Sequence, residues 1–243
     1  MGNIEYSKYY IDKLIDTNCD GVTFQIREKE FYKNNKQFEN HKLSFEHYND
    51  LRKQLPENKK LGFAIADYSL IDNCEKSGAD FYKILSQDID NYKLIDGVLE
   101  TEKPIYISTG MSTLDEIDKF YKKYSQDIHY QSITLLHTQL SKDSINTNLR
   151  AISVLKKRYP FNVGFSNHSL NHKIIFTAIG FRPSDIFFYV CGSKIEKHPD
   201  QEHSVNLKIV KEFIIDIQDC FLAIGSGEKI KMENQIDLEN KVK

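Results

Sequence analysis

Leu61-Gly62-Phe63-Ala64-Ile65-Ala66 is a run of six residues without a polar side chain. A strand with one wet face alternates polar with apolar residues, so a run without alternation is covered on both faces. Strands of that kind belong to parallel sheets, whose crossover helices lie on the sheet faces. Working outward, similar short runs recur. Gly21-Val22-Thr23-Phe24-Gln25-Ile26 precedes Leu61, and Phe81-Tyr82-Lys83-Ile84 and Pro104-Ile105-Tyr106-Ile107-Ser108 follow it. Ile133-Thr134-Leu135-Leu136-His137, Phe161-Asn162-Val163-Gly164-Phe165 and Lys194-Ile195-Glu196-Lys197-His198 complete the series.

Helical patterns stand between these runs. Tyr9, Tyr10, Leu14 and Ile15 share a face over residues 5–17, so the chain opens with a helix. Residues 27–43 read as polar and irregular, and a helix capped by Ser44 runs to about Leu55 before Pro56. Further helices are expected from about Ser69 to Lys76, Asn91 to Glu100, Asn146 to Arg158 and His172 to Ile179. Ser112 or Thr113 caps another, with Asp115 and Glu116 in its first turn. The last is expected over about Val205 to Ile224, with Val210, Phe213, Ile214, Ile217 and Phe221 on one stripe. Ile186 to Val190 is an extra apolar run.

The strand–helix alternation gives an α/β fold, a TIM-type (β/α)8 barrel that is incomplete or irregular at its first strand. Seven repeating strands are legible where eight would close the barrel, and the chain starts on a helix. Such a barrel leaves strand edges that invite pairing with another chain or a supplied strand, and Ile186 to Val190 could plug the gap. A doubly wound open sheet is the competing fold. It wants a G-x-G-x-x-G loop after an early strand, and the sequence has none. Residues 1–228 are expected to form the barrel and 229–243 a polar tail.

The charge balance of 33 basic against 35 acidic residues leaves a net charge of -2, with no bulk field to hold a polyanion. Nucleic acid is therefore not an expected partner. Cys19, Cys74, Cys191 and Cys220 form no C-x-x-C pair and no zinc-ligand spacing, which fits free thiols in a reducing cytoplasm. The first residues show neither the basic start nor the apolar run of a secretory leader, and no stretch has the length of a membrane span.

In a parallel barrel, reactive groups gather at the C-terminal strand ends. Here those positions hold Gln25, Asp67, Lys83 with Ser86, Ser108 with Thr109, His137, Ser166 with His168, and Glu196 with His198. Two strand ends offering an imidazole each, near a carboxylate and a hydroxyl, could build a divalent-metal or anion site; two surface histidines are the plainer reading. Lys83 in an apolar strand needs an anion, either a bound phosphate or carboxylate or an internal partner such as Asp67. Ser108-Thr109-Gly110 suits an oxyanion or an ordinary helix cap. His137 reads equally as a rim group or a satisfied core histidine.

Five motifs in order carry a resemblance. They are Tyr82-Lys83-Ile84 with Ser86, Lys103-Pro104-Ile105 into Ser108-Thr109-Gly110-Met111, Leu135-Leu136-His137, Gly164-Phe165-Ser166-Asn167-His168-Ser169, and Ile195-Glu196-Lys197-His198. Together they resemble the N-acetylneuraminate (sialic acid) synthase family, which includes the legionaminic and pseudaminic acid synthases, over residues 2–228. The resemblance implies a barrel that condenses phosphoenolpyruvate with an N-acyl hexosamine, giving a nine-carbon 2-keto acid and phosphate. It implies that His168 and His198 hold a divalent metal, usually Mn2+, with Mg2+ or Co2+ as alternatives. It also implies that Lys83, Ser108, Ser86 and Gln25 face phosphoenolpyruvate, that Ser166 lines the substrate site, and that Glu196 contacts substrate near the metal. A cytoplasmic enzyme is implied, either homo-oligomeric or served by a partner that supplies missing elements.

Several positions depart from the family pattern. The first strand and its catalytic glutamate have no counterpart, and Thr23 stands where the family has lysine. Asn167 replaces the aspartate before the metal histidine. Thr138-Gln139-Leu140 replaces Cys-Thr, and residues 181–193 read as an insertion. The family's C-terminal antifreeze-like domain, which lends an arginine to the partner's site, is not matched. These departures keep a second reading open, a noncatalytic barrel that binds a sugar or anion or acts as a subunit. A third is an unrelated barrel aldolase, marked by an imine at Lys83.

Overall fold

The computed structural model describes residues 4–126, 132–192, 200–231 and 235. Its helices are α1 (Ile4–Ile15), α2 (Lys29–Asn34), α3 (Phe45–Gln54), α4 (Ile71–Lys76), α5 (Tyr92–Leu99), α6 (Leu114–Tyr124), α7 (Arg150–Arg158), α8 (Lys173–Ile179) and α9 (Val210–Ile224). Its strands are β1 (Gly21–Ile26), β2 (Lys60–Ile65), β3 (Phe81–Ile84), β4 (Ile105–Ser108), β5 (Ile133–His137), β6 (Asn162–Ser166), β7 (Ile186–Phe187), β8 (Val190–Cys191) and β9 (Val205–Asn206). β1 to β7 form one seven-stranded sheet in sequence order, every pair parallel. Among the described residues it curls without closing, as the start of the chain on a helix leads one to expect.

The register fixes what faces the barrel lumen. Gln25, Ala64, Lys83, Tyr106 and Thr134 lie side by side across five strands. Partners in a parallel ladder point to the same face, so these five share one lumen layer. Phe24, Phe63 and Tyr82 point the other way, into the core between sheet and helices. Phe81, Tyr106 and Phe187 meet edge to face, with centroids 4.9 to 6.2 Å apart, and fill the lumen below Lys83. Gly62 makes room for this plug, since a Cβ there would meet the Phe81 ring at 2.1 Å.

Three expectations need correction. Among the described residues the seventh strand is Ile186–Phe187, paired to β6, so this run extends the sheet and pairs with no described residue of β1. Phe187 aligns with Ser166 and packs on Tyr106, which places the run in the barrel wall. Lys194 to His198 lies outside the described residues. Residues 27–43 are not irregular, because Phe31 stacks on Phe38 and organises α2 and a 3-10 turn over Lys36–His41. The last helix starts at Val210, since Val205–Asn206 instead pairs with β8. At α6 the expected cap is present: Thr113 and Glu116 form a reciprocal capping box.

Candidate functional site

Lys83 is set by β3, where its neighbours Tyr82 and Ile84 are fully buried in the helix-facing core. Alternation along the strand therefore aims the lysine into the lumen. Only 6% of the residue is exposed. Among the described residues its ammonium meets no hydrogen-bond acceptor and no ion-pair partner; it stands over the rings of Phe187 and Tyr189, 5.6 and 5.9 Å from their centroids. Burial lowers its pKa to about 8, against a weaker upward pull from Asp200. Asp67, the internal partner considered for it, is instead the cap of the turn at Tyr68–Leu70, accepting from the Ser69 N–H at 2.9 Å.

The neighbouring strands add hydroxyls. Ser108 ends β4 and Ser166 ends β6, on the lumen side of their strands and 2% and 1% exposed. Neither Oγ has a hydrogen-bond partner among the described residues. A buried hydroxyl left unpaired costs about 1–3 kcal/mol, which a bound acceptor would recover. Ser86 has a structural task as well: its Oγ accepts from the Gly110 N–H at 3.2 Å and ties the loop after β4 to the end of β3. Gly110 must be small there, since a Cβ would meet Thr138 and Ser86 atoms at 2.7 and 2.8 Å. Gln25 shares the Lys83 layer but sits on the open side of the barrel and is exposed.

His168 follows β6 and turns toward the same mouth. Its Nδ1 lies 3.0 Å from Thr138 Oγ1, and its Nε2 lies 3.4 Å from the Tyr189 hydroxyl. Burial, then the positive charges of Lys83 and His203, lower its pKa to about 3. It is thus a neutral imidazole, the form that ligates metals. The residue expected beside it, His198, and the carboxylate Glu196 both lie outside the described residues. The ring that does stand beside His168 is His203, with centroids 5.1 Å apart. His203 Nε2 is 3.5 Å from Asp200 Oδ1.

By the chemistry of its donor, His168 fits a divalent metal. Among the described residues no group of three or more His, Cys, Asp or Glu is placed to hold one. Asn167 is spent on the turn that follows, its amide donating to Ser169 O at 3.0 Å and its Oδ1 accepting from Ser169 N at 3.3 Å. His137 is a core histidine: it packs on Phe165, its Nε2 lies 2.9 Å from Thr147 O, and burial lowers its pKa.

Tyr189, Asp200 and His203 were not singled out from sequence. Tyr189 is hidden within an apolar run whose end crosses the mouth. Asp200 and His203 stand three apart on one short turn, a spacing that could have marked them. A Lys142–Glu202 ion pair ties that turn to the loop after β5. Lys83, Tyr189 and Asp200 line a cavity of about 780 Å³ that also reaches Ser166 and Gln25. The lumen side of the strand ends thus carries a buried ammonium and two buried hydroxyls without partners among the described residues, groups that can bind an anion, together with a neutral imidazole.

The comparisons with known proteins bear on the family and the fold. The model of the NeuB family matches residues 3–229. An uncharacterised protein of Methanocaldococcus jannaschii is 28% identical over 248 residues, covering 98% of this chain and 72% of that one. The N,N'-diacetyllegionaminic acid synthase of Legionella pneumophila is 27% identical over 265 residues, covering 98% and 74%. The crystal structure of an N-acetylneuraminic acid synthetase from Leptospira borgpetersenii superposes with a TM-score of 0.87 at 21% identity, covering 99% of this chain and 87% of that one. A truncated 3-deoxy-D-arabino-heptulosonate 7-phosphate synthase from Thermotoga maritima shares the fold at a TM-score of 0.72 and 13% identity, covering 92% and 84%. No helix among the described residues is long and apolar enough to cross a membrane. With a family match that runs from the start of α1 past the end of α9, the chain belongs to the NeuB family.

Proposed function

We propose that this chain is a sialic-acid-type synthase that condenses phosphoenolpyruvate with an N-acyl hexosamine. The observation that carries the reading is the Lys83 ammonium, buried in the lumen with no acceptor among the described residues, on the sheet face that also carries the Ser108 and Ser166 hydroxyls, which have no partner among those residues either. A buried ammonium of this kind is stable only if an anion answers it. The phosphate or carboxylate of phosphoenolpyruvate supplies that anion, and the fixed donors hold it without reorganisation.

The sugar's open-chain aldehyde then lies at the strand ends beside Tyr189 and His168, and the family resemblance gives Glu196 the contact with substrate. C3 of the enol attacks the aldehyde carbon, water adds at C2, and phosphate leaves by C–O cleavage to give the nine-carbon 2-keto acid. The chain's own part is to orient the two substrates and neutralise the phosphate. A divalent metal, Mn2+ foremost, is held by His168 with His198 in this reading, and when bound it polarises the aldehyde oxygen. Gln25 and Ser86 complete the anion site.

A noncatalytic, anion-binding relative is the second reading. Asn167 favours it, because an amide that closes a turn stands where the family pattern has an aspartate. Incubation with phosphoenolpyruvate, Mn2+ and a panel of N-acyl hexosamines separates the two. Phosphate release that requires one sugar and is lost in His168→Ala and His198→Ala is the expected result. Binding of phosphoenolpyruvate without release, across the panel, would overturn the synthase reading in favour of the second.

A further inference from the structure

Strand pairing puts Tyr189 level with His168. Ser166 of β6 is paired with Phe187 of β7, and the ladder runs on through the Asn167 N–H, which donates to Phe187 O at 2.9 Å. Two residues beyond that pair, each chain presents a side chain to the same face of the mouth: His168 after β6 and Tyr189 after β7. The backbone of Tyr189 is held from its other side, since the Val205 N–H donates to Tyr189 O at 2.8 Å. Its ring meets His168 and His203 edge to face, with centroids 5.3 and 4.9 Å apart.

Each nitrogen of His168 has a neighbour. Nδ1 lies 3.0 Å from Thr138 Oγ1, and Thr138 is only 1% exposed, so the barrel walls off this side of the ring. Nε2 lies 3.4 Å from the Tyr189 hydroxyl. A histidine that ligates a metal offers the lone pair of one nitrogen while a hydrogen bond orients the other. Here Nδ1 is the oriented nitrogen and Nε2 the offered one. The Tyr189 hydroxyl, which can donate, stands against that lone pair. A metal and this hydrogen bond cannot share it.

We infer that Tyr189 competes with the metal for His168 Nε2 and holds down the metal affinity of the site. The inference rests on the metal role that the proposed function gives His168, and it names the residue that opposes that role. Metal loading requires the hydroxyl to turn away, while the backbone, bonded at Phe187 and Tyr189, stays in place. A phenylalanine at this position keeps the packing on both imidazoles and the ring face 5.9 Å from the Lys83 ammonium, and removes only the competitor. A tyrosine oxygen beside an imidazole nitrogen is also placed as a second metal ligand would be. The two roles have opposite consequences, because losing a competitor tightens binding and losing a ligand weakens it.

Titration calorimetry of Mn2+ into the intact chain, as wild type and as Tyr189→Phe, tests this. Removing one hydrogen bond to the ligating nitrogen is expected to tighten Mn2+ binding by about three- to tenfold, and adding His168→Ala should abolish it in both backgrounds. Binding detected only in Tyr189→Phe is the same result at its limit. In metal-free protein the 15N resonance of His168 Nε2 should move between wild type and Tyr189→Phe, as that of a nitrogen that has lost its donor. Equal affinity, or no Mn2+ binding by either protein, would overturn the inference. Weaker binding by Tyr189→Phe would overturn it as well, by making Tyr189 a ligand. Phosphoenolpyruvate titrated into the same two proteins keeps the readings apart: if neither binds it, the proposed function falls and the Mn2+ comparison stands.

Discussion

The ammonium of Lys83 stands 5.6 Å from the centroid of the Phe187 ring, inside a lumen whose floor is aromatic. A cation–π contact offsets part of the cost of burying a charge, but an aromatic face does not replace the hydrogen bonds that water made. On the proposed function, Lys83 is held for binding at the expense of stability. Lys83→Met keeps the stem volume and removes the charge, so its melting temperature at pH 7 should equal or exceed that of wild type. A drop of more than about 5 °C would contradict the assignment.

The same burial has a pH signature. The folded-state pKa of Lys83 is lowered from 10.5 to about 8, so between those values the unfolded chain binds more protons than the folded one. Stability then rises with pH across that window, by at most about 1.4 kcal/mol per pH unit for a single group. Other groups titrate there too, so the comparison is with Lys83→Met. The stability advantage of the variant should shrink from pH 8 to pH 10.5 in chemical denaturation, and a constant difference would count against the lowered pKa.

On the far side of β3, Tyr82 is fully buried and donates its hydroxyl to Glu75 Oε1 at 2.6 Å, while Lys103 donates to Oε2 at 2.6 Å. Glu75→Ala strands the Tyr82 hydroxyl away from water. A loss of about 1–3 kcal/mol is expected, chiefly from that hydroxyl, because the partly exposed Lys103 pair is worth little. Adding Tyr82→Phe to Glu75→Ala should recover most of the loss in urea denaturation; no recovery would place the cost elsewhere.

His137 separates fold from function. Its ring bonds Thr147 O inside the core behind the strand ends. His137→Leu should cost about 1–3 kcal/mol of stability and leave the affinity for phosphoenolpyruvate within about twofold. A large loss of affinity at unchanged stability would move His137 into the site.

The barrel class was legible because β2, β3 and β5 carry a burial pattern no antiparallel edge would tolerate, and because each is followed by a helical stretch. Ser108, Ser166 and Lys83 were legible for the related reason that polar groups at the C-terminal ends of buried strands stand out. The seventh strand was not, since Ile186–Phe187 is two residues long and its pairing to β6 depends on tertiary register. Tyr189 and His203 were missed for the same cause: each reaches the mouth through a chain path that no local periodicity encodes. His137 shows the converse, a strand-end histidine whose ring turns to the core because alternation on β5 sends Leu136 to the lumen.

The central claim is that Lys83 with Ser108 and Ser166 forms the binding site for phosphoenolpyruvate. Titration calorimetry of phosphoenolpyruvate into wild type, Lys83→Met and Ser108→Ala tests it most directly. One site in the wild type is predicted, weakened at least about 100-fold by Lys83→Met and about 10-fold by Ser108→Ala, with both variants folded. Equal affinity in wild type and Lys83→Met, or no binding by the wild type, would contradict it.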